Sequence, residues 1–406
     1  MAGPLDGIKI LDFTWALAGP YGVMILCDLG AEVFKIEPVG QDWQTRGNPP
    51  HVDGVSTYYF SVNRGKKSIL LDLKAKMGKD VVYALAKQVD VVWNNFSPGT
   101  MDDLGFGCET LSALNPRLIY ASTSGFGQYG PYRERRAVDV IVQGMGGLMS
   151  ITGEAGGPPA RAGYSIGDMA AGMFTAIGVL SALVERDKSG EGQEVDVAML
   201  DSQVALLENA IIRYFATGEM TGPIGSRHPL VTPFQAFPTS DGHIVIAGVR
   251  DWELFCAKID RLDLMQDERF KDNPLRTANH ALLEPMLNEA FRKKTSKEWI
   301  EELGETCLVA PLNTIADIAN DPHEIARGMF VDLPHPKGGK AFRVTNSPIR
   351  LSRTPVKVDR APSSPGEDTV EILRTLGGFS DAEIDAMLKD EVIGTGEHPG
   401  VARPRR

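Results

Sequence analysis

Two oxygen nucleophiles stand close together at the start of a long uncharged stretch. Ser165 is the centre of Gly163-Tyr-Ser-Ile-Gly167, which matches the Gly-x-Ser-x-Gly turn of serine hydrolases, and Asp168 follows directly. A serine in such a turn forms an acyl-enzyme, whereas a carboxylate can attack an acyl group and form an anhydride. The pattern alone does not choose between these two residues as the reacting group.

The elements around Asp168 predict a helix start. Residues 169–184 carry no charge, and the small residues after Gly167 leave room for a ligand to approach. An aspartate there can cap the free N–H groups of the helix, and the helix dipole favours its ionised form. Residues 156–162 form a Gly- and Pro-rich loop instead of the strand that a serine nucleophile needs. Asp168 is therefore a cap, a nucleophile or both.

Alternating β-prone and helical segments predict a doubly wound, Rossmann-like α/β domain over residues 1–217. The predicted strands cover 8–13, 32–36, 68–73, 89–93, 118–123 and 193–199, and the predicted helices include 19–30, 78–88, the uncharged stretch and 200–217. Residues 218–233 are rich in Gly, Pro and Thr and indicate a linker. A smaller α+β domain is predicted at 234–328, followed by a C-terminal segment, 329–406, that returns to the large domain.

Composition excludes several classes of protein. The 406 residues carry a net charge of -11, and an acidic surface repels nucleic acids. The four cysteines and seven histidines show no metal-ligand spacing, so we expect no bound metal and a reducing, cytoplasmic location. The first residues lack the features of a signal peptide. A helix over 169–184 would be about 24 Å long, short of the roughly 30 Å bilayer core, so we expect a buried helix and no membrane span.

Two further patterns each have two interpretations. Gly125-Phe-Gly-Gln-Tyr-Gly130 matches a dinucleotide-binding loop, but Pro131 follows it and no helix is predicted there. The basic cluster Asn63-Arg-Gly-Lys-Lys67, with Lys74 beyond it, suits either a phosphate site or a solvated strand edge.

Taken in order, a series of short motifs resembles the class III CoA-transferase family over nearly the whole chain. The N-terminal matches are Pro4-Leu-Asp-Gly-Ile-Lys-Ile-Leu-Asp-Phe13, Ala18-Gly-Pro20, Leu29-Gly-Ala-Glu-Val-Phe-Lys-Ile-Glu37, Asn63-Arg-Gly-Lys-Lys-Ser68 and Asn95-Phe-Ser-Pro-Gly99. The later ones are Asn115-Pro-Arg-Leu-Ile-Tyr120, Ser124-Gly-Phe-Gly-Gln-Tyr-Gly-Pro131, Gly190-Glu-Gly-Gln-Glu-Val-Asp196 and Pro365-Gly-Glu-Asp-Thr369. Each motif is modest, and their order is highly specific.

The resemblance implies an acyl-CoA:carboxylate CoA-transferase that works by a ping-pong mechanism. Asp168 would be the nucleophile, passing through an acyl-aspartyl anhydride and an aspartyl-CoA thioester, with Asp139 beside it. Arg64 and Lys74 would lie near the CoA nucleotide. The remaining assignments are Asn95, Phe96 and Arg136 along the same groove, and Gly167 and Tyr59 in substrate binding. CoA would be a substrate, with no permanently bound cofactor, and the family fold is an interlocked homodimer.

Departures from the family pattern narrow the reaction. Racemase relatives carry His where this chain has Val138, which disfavours a 2-methylacyl-CoA racemase. Formyl-CoA:oxalate enzymes carry a glycine run where this chain reads Gly225-Ser-Arg-His-Pro229, and Gln in place of Leu17, which disfavours oxalate. Arg227 and His228 would instead bind a larger dicarboxylate such as succinate, or be ordinary loop residues. A racemase or a non-catalytic CoA-binding protein is the alternative.

Overall fold

The computed structural model describes residues 3–40, 46–220 and 222–396. Their strands are β1 Lys9–Asp12, β2 Glu32–Glu37, β3 His51–Val52, β4 Val55–Ser56, β5 Lys67–Leu71, β6 Val91–Asn94, β7 Ile119–Ser124, β8 Glu194–Ala198, β9 Phe234–Pro238, β10 His243–Val249, β11 Cys307–Pro311, β12 Phe330–Leu333, β13 Phe342–Thr345 and β14 Ile393–Gly394.

The helices of the same residues are α1 Ala18–Asp28, α2 Thr57–Asn63, α3 Lys76–Ala86, α4 Thr100–Leu104, α5 Cys108–Leu114, α6 Asp139–Met145, α7 Leu148–Ile151, α8 Ile166–Ser189, α9 Met199–Leu206, α10 Glu208–Thr217, α11 Trp252–Lys258, α12 Leu262–Gln266, α13 Asn273–Ala278, α14 His280–Phe291, α15 Ser296–Leu303, α16 Ile315–Ile318, α17 Pro322–Ala326, α18 Thr369–Thr375 and α19 Asp381–Lys389. The helix predicted at 200–217 is interrupted at Leu207, which separates α9 from α10.

The central sheet has the strand order β14-β5-β2-β1-β6-β7-β8. Its strands are parallel except for β14, which pairs with β5 in the antiparallel sense. The strand order reverses between β1 and β6, as in a doubly wound sheet. This topology confirms the prediction of an α/β fold built on a large parallel sheet. The antiparallel edge strand, supplied by the C-terminal segment, was not predicted.

Hydrophobic cores cover both faces of this sheet. Successive side chains of a strand point to opposite faces, so neighbours in sequence enter different cores. Leu11 and Val92 enter one core, whereas Ile10 and Val91 enter the other. Burial on both faces explains why apolar residues stand next to each other at Ile10-Leu11 and at Val91-Val92 instead of alternating with polar ones.

α8 packs closely against α1 because glycines face each other at the crossing. A Cβ at Gly22 would lie 2.4 Å from the Gly172 carbonyl oxygen, and one at Gly172 would lie 2.4 Å from the Ala18 carbonyl oxygen. At 24 residues, α8 is longer than the uncharged stretch predicted, and by length and hydropathy it could cross a membrane. Half of its apolar window is buried within the described structure. The length argument against a membrane span is therefore wrong, and only burial supports a core helix.

The chain divides into two compact units. The first contains residues 1–148, 162–217 and 326–406, and the second contains residues 149–161 and 218–325. In the first unit, α18 and α19 contribute Leu373 and Met387 to the core beneath β5. In the second unit, the sheet β11-β10-β9 packs with α11, α14 and α15 around a separate core. The sequence did not predict that residues 149–161 belong with the second unit.

Candidate active site

Asp168 lies in the first turn of α8, as the third helical residue. The residue at the N-cap position is Ser165, and its side chain makes no capping hydrogen bond. The interpretation of Asp168 as the helix cap is therefore wrong. Its carboxylate is half-buried and makes no hydrogen bond to any residue that the structure describes. Residues 161–165 form no strand, so the strand-turn-helix geometry of a serine nucleophile is absent here.

A buried carboxylate holds the turn that carries Asp168. Asp139 begins α6, and its Oδ1 accepts the backbone N–H of Gly167 at 2.9 Å. Its Oδ2 accepts Nε2 of Gln143 at 2.6 Å, and the Gln143 Oε1 accepts the N–H of Ala162 at 2.9 Å. Asp139 and Gln143 thus fix the backbone on both sides of residues 163–166. Gln143 was missed in the sequence, although its spacing from Asp139 is that of helix neighbours.

The environment of Asp168 raises the pKa of its carboxyl group from 3.8 to about 7. Burial is the larger cause, and the nearby charge of Asp139 is the second. Asp168 in turn contributes to a raised pKa of Tyr58, after the larger effect of burial. A carboxylate that burial leaves poorly solvated, and that has no hydrogen bond to weaken it, is a better nucleophile than one in water.

The pH dependence of the reaction follows from this pKa. Only the ionised Asp168 can attack a thioester, so we expect the acylation rate to rise as pH increases through about 7. Asp139→Asn removes the neighbouring charge while keeping an oxygen for the Gly167 N–H, so the apparent pKa should fall. Single-turnover rates between pH 5 and 9 measure both values. An unchanged midpoint in Asp139→Asn would contradict this electrostatic account.

Two adjacent tyrosines, Tyr58 and Tyr59, differ in their surroundings. Tyr59 is buried; its hydroxyl accepts Nη2 of Arg46 at 2.8 Å and donates to Glu37 at 3.3 Å. This position lies in the core, and the assignment of Tyr59 to substrate binding stays a prediction. Tyr58 is half-buried, and after burial the charge of Asp168 further raises the pKa of its hydroxyl. It lines a cavity of about 490 Å³ together with Ser61.

Conservative substitutions should separate these tyrosines. Tyr58→Phe removes a hydroxyl that interacts electrostatically with Asp168 and lines a cavity. If this hydroxyl donates to the bound substrate, kcat/KM should fall about tenfold, the value of roughly one hydrogen bond, with unchanged thermal stability. Tyr59→Phe removes one hydrogen bond from Arg46 and one from the buried Glu37, so it should lower the melting temperature instead. Paired kinetic and thermal-unfolding measurements test this. A loss of kcat/KM in Tyr59→Phe and a loss of stability in Tyr58→Phe would support Tyr59 as the substrate-binding residue.

The basic cluster at residues 63–67 is made of ion pairs. Arg64 is buried and grips Asp28 through Nε at 3.1 Å and Nη2 at 2.6 Å. Lys66 is buried against Asp12 at 3.0 Å, and burial lowers its pKa to about 8. Lys67 contacts Glu32 at 2.7 Å. These ion pairs balance the charges of the cluster within the protein. The placement of Arg64 near the nucleotide stays a prediction, with its guanidinium paired to Asp28.

The other residues assigned to CoA lie at or near the carboxyl ends of the sheet strands. Lys74 follows β5 and is exposed, and Arg136 is exposed in the segment before α6. Asn95 and Phe96 follow β6, and Phe96 is partly buried against the core. Asn95 hydrogen-bonds the backbone of Trp15, which follows β1. This edge of the sheet, where the strand order reverses, is where doubly wound proteins bind ligands.

The glycine-rich loop after β7 is held by protein side chains. The Gly127 N–H donates to Oγ of Ser124 at 2.9 Å, and the Gln128 N–H donates to Oδ2 of Asp196 at 2.9 Å. The next helix begins only at Asp139, so the loop does not open onto a helix N-terminus as a dinucleotide-binding motif requires.

Arg227 and His228 belong to the second unit. His228 stacks on Phe234 with ring centroids 5.0 Å apart, and its Nδ1 accepts the N–H of Leu230 at 3.2 Å. Arg227 is half-buried, and its charge helps to lower the pKa of His280, after burial. Among residues 3–40, 46–220 and 222–396, no group of three or more metal-ligating side chains lies together.

Comparison with known proteins decides the family. The model described as CoA-transferase family III matches residues 5–369. The chain belongs to this family. It is 41% identical over 354 residues to acetyl-CoA:oxalate CoA-transferase of Acetobacter aceti, covering 86% of this chain and 90% of that protein. It is 38% identical over 372 residues to succinyl-CoA:mesaconate CoA-transferase of Haloarcula hispanica, covering 89% and 93%.

A solved structure of this family has the same fold. The CAIB/BAIF family protein from Brucella suis superimposes with a TM-score of 0.85 at 36% identity, covering 93% of this chain and 100% of that one. This family III CoA-transferase is therefore an enzyme that moves CoA between an acyl-CoA and a carboxylic acid.

Proposed function

We propose that this CoA-transferase works through covalent catalysis by Asp168. The observation that carries the proposal is the carboxylate itself. It is half-buried, unbonded to the residues described, and carried on a turn that Asp139 holds at the Gly167 N–H. A merely structural aspartate in a first helical turn would satisfy backbone N–H groups.

The reaction divides into two symmetric halves. Asp168 attacks the thioester carbonyl of the donor, giving an acyl-aspartyl anhydride and CoA thiolate. The thiolate attacks the aspartyl carbonyl, which gives an aspartyl-CoA thioester and releases the donor acid. An acceptor carboxylate then attacks this thioester, and the thiolate it expels attacks the acceptor's own carbonyl. Acceptor-CoA leaves, and Asp168 returns as a free carboxylate.

Backbone donors for the oxyanions are available at the start of α1. No side chain of the described residues caps this helix, and its first turn carries no acidic residue. The first N–H groups of a helix have no partner within it. Gly172, one turn beyond Asp168 on the same face of α8, packs against the Ala18 carbonyl oxygen. We therefore propose that N–H groups at this helix start stabilise the negative charge that develops in each attack.

We propose a dicarboxylate as the acceptor. Both named relatives act on a dicarboxylic acid, oxalate in one case and mesaconate in the other. Gly225-Ser-Arg-His-Pro229 favours an acceptor larger than oxalate, such as succinate, bound through Arg227 and His228. Lys74 and Arg136 remain our candidates for the nucleotide, since both are exposed cations suited to phosphate.

A panel of acyl-CoA donors and carboxylic acids, read by mass spectrometry, tests this proposal. We expect new thioesters with C4 and C5 dicarboxylates and little product with monocarboxylates. Arg227→Met should raise KM for the acceptor without changing KM for the donor. Transfer restricted to monocarboxylates would contradict the dicarboxylate assignment. Deuterium entering the α-position of 2-methylacyl-CoA without an acceptor would favour a racemase.

We also propose the interlocked homodimer of the family. Large apolar side chains are exposed along α8, at Ile177 and Val184, and on α10, where Phe215 is 75% exposed. A second copy that covers these faces would remove them from water. Light scattering at micromolar concentration should give the mass of a dimer. When labelled and unlabelled dimers are mixed, their subunits should not exchange without unfolding. Rapid exchange between labelled and unlabelled subunits would contradict interlocking.

A further inference from the structure

A side chain from the end of β6 bridges to the segment that follows β1. Oδ1 of Asn95 accepts the N–H of Trp15 at 2.8 Å, and Nδ2 of Asn95 donates to the Trp15 carbonyl at 2.8 Å. One carboxamide therefore satisfies both backbone groups of one residue. The bridge crosses the sheet edge at the point where the strand order reverses, which is the ligand-binding edge of this fold.

The bridged segment, residues 14–17, is here called the strap. Its first residue is tied to the sheet, because the Thr14 N–H donates to Asp12 and the Thr14 carbonyl accepts Nζ of Lys35. Beyond Trp15, Ala16 has a φ of 60°, a left-handed conformation that disfavours any residue with a Cβ. The Asn95 bridge thus lies directly before a strained residue, where it can hold that conformation in place.

The strap leads into the part of α1 that touches the helix of the nucleophile. Leu17 is the N-cap residue of α1, and the next residue, Ala18, directs its carbonyl at Gly172. Gly172 follows Asp168 by one turn on the same face of α8. A strap that relaxed would therefore shift the N-terminal N–H groups of α1 relative to Asp168.

We propose that Asn95 is a positioning residue for acyl transfer, acting through the strap. The proposal rests on the proposed role of Asp168 as nucleophile. An asparagine is required because the bridge needs one acceptor and one donor on a short side chain. Both functional groups are already engaged with Trp15.

Asn95→Ala tests the proposal by separating chemistry from binding. We expect single-turnover formation of the covalent intermediate at saturating acyl-CoA to slow about tenfold or more, the effect of two lost hydrogen bonds. CoA affinity by calorimetry should stay within about twofold, whereas Lys74→Met, at an exposed cation proposed to bind the nucleotide, should weaken CoA binding. A weaker CoA affinity in Asn95→Ala, with an unchanged saturated rate, would overturn the proposal.

A second substitution tests the route through the strap. Ala16→Gly lowers the cost of the left-handed conformation, so it should restore part of the lost rate when added to Asn95→Ala. A double variant no faster than Asn95→Ala would also overturn the proposal. If the wild-type enzyme forms no covalent intermediate, the role of Asp168 fails. The steady-state kcat and CoA affinity of the same variants then test the role of Asn95 independently of Asp168.

Discussion

Replacing Asp168 with alanine is expected to reduce CoA transfer by at least about ten-thousandfold, because no other group would accept the acyl and CoA moieties. Asp168→Asn should be equally inactive, since an amide is not a nucleophile. Asp187→Ala, an exposed aspartate on the same helix, is the matched control and should keep normal activity. Initial rates with purified proteins measure the effect. Substantial transfer by Asp168→Ala would refute the mechanism.

The substitution Asp168→Asn should stabilise the folded protein. A carboxyl group whose pKa is raised from 3.8 to about 7 is less favourably ionised in the folded state than in the unfolded state. Asp168→Asn should therefore melt at a higher temperature than the wild type above pH 7. This difference should shrink as pH falls from about 7 towards 3.8. A lower melting temperature at pH 8 would show that the carboxylate has a structural role instead.

Gly167→Ala should have the next largest effect. An added Cβ would lie 2.7 Å from Cγ2 of Val142 and 3.2 Å from Oδ1 of Asp139, both part of packed structure. The start of α8 must shift to relieve these contacts, and displacement of a reacting group by about 1 Å can cost about a hundredfold in rate. We expect kcat to fall by about this factor while the protein stays folded.

Gly163→Ala provides the control, because no heavy atom of residues 3–40, 46–220 or 222–396 lies within 4 Å of its added Cβ. Gly163 lies in the loop before α8 and Gly167 in its first turn, so a general loss of backbone freedom near Asp168 would affect both variants. Steric displacement predicts a defect only at Gly167. Equal activities in the two variants would show that the Asp139 contact does not position the nucleophile.

Much of the fold could be predicted because its signals are local. The strands of the parallel sheet are short, apolar and β-branched, and helical segments separate them, which predicts the βαβ pattern. The strand of residues 393–394 escaped prediction because two residues carry no periodicity. The break at Leu207 escaped prediction because residues 200–217 contain no Gly or Pro that would mark the end of a helix.

The chemistry of the site was less visible. Nothing local shows that Arg64 would meet Asp28 or that Lys66 would meet Asp12, since these pairs form only when separate strands and helices are brought together. The pattern of charge therefore left a phosphate site and a solvated strand edge open, whereas the fold pairs Arg64 and Lys66 with buried aspartates.

The assignment of the two tyrosines needed the orientation of α2. Ser56 caps this helix by accepting the N–H of Tyr59, and that fixes which side chains face the core. Tyr59 and Phe60 are buried, while Tyr58 is left half-exposed. A start of α2 that differed by one residue would have changed which tyrosine faces the core. The sequence alone does not set that start.

The central claim is that Asp168 carries CoA as a thioester during turnover. Incubating the enzyme with acyl-CoA alone, followed by acid quench and intact-mass analysis, tests it most directly. We predict a mass increase equal to CoA less water, located by peptide mapping at Asp168 and absent from Asp168→Ala. An active enzyme that shows no such adduct at any quench time, with kinetics requiring both substrates bound together, would contradict the account.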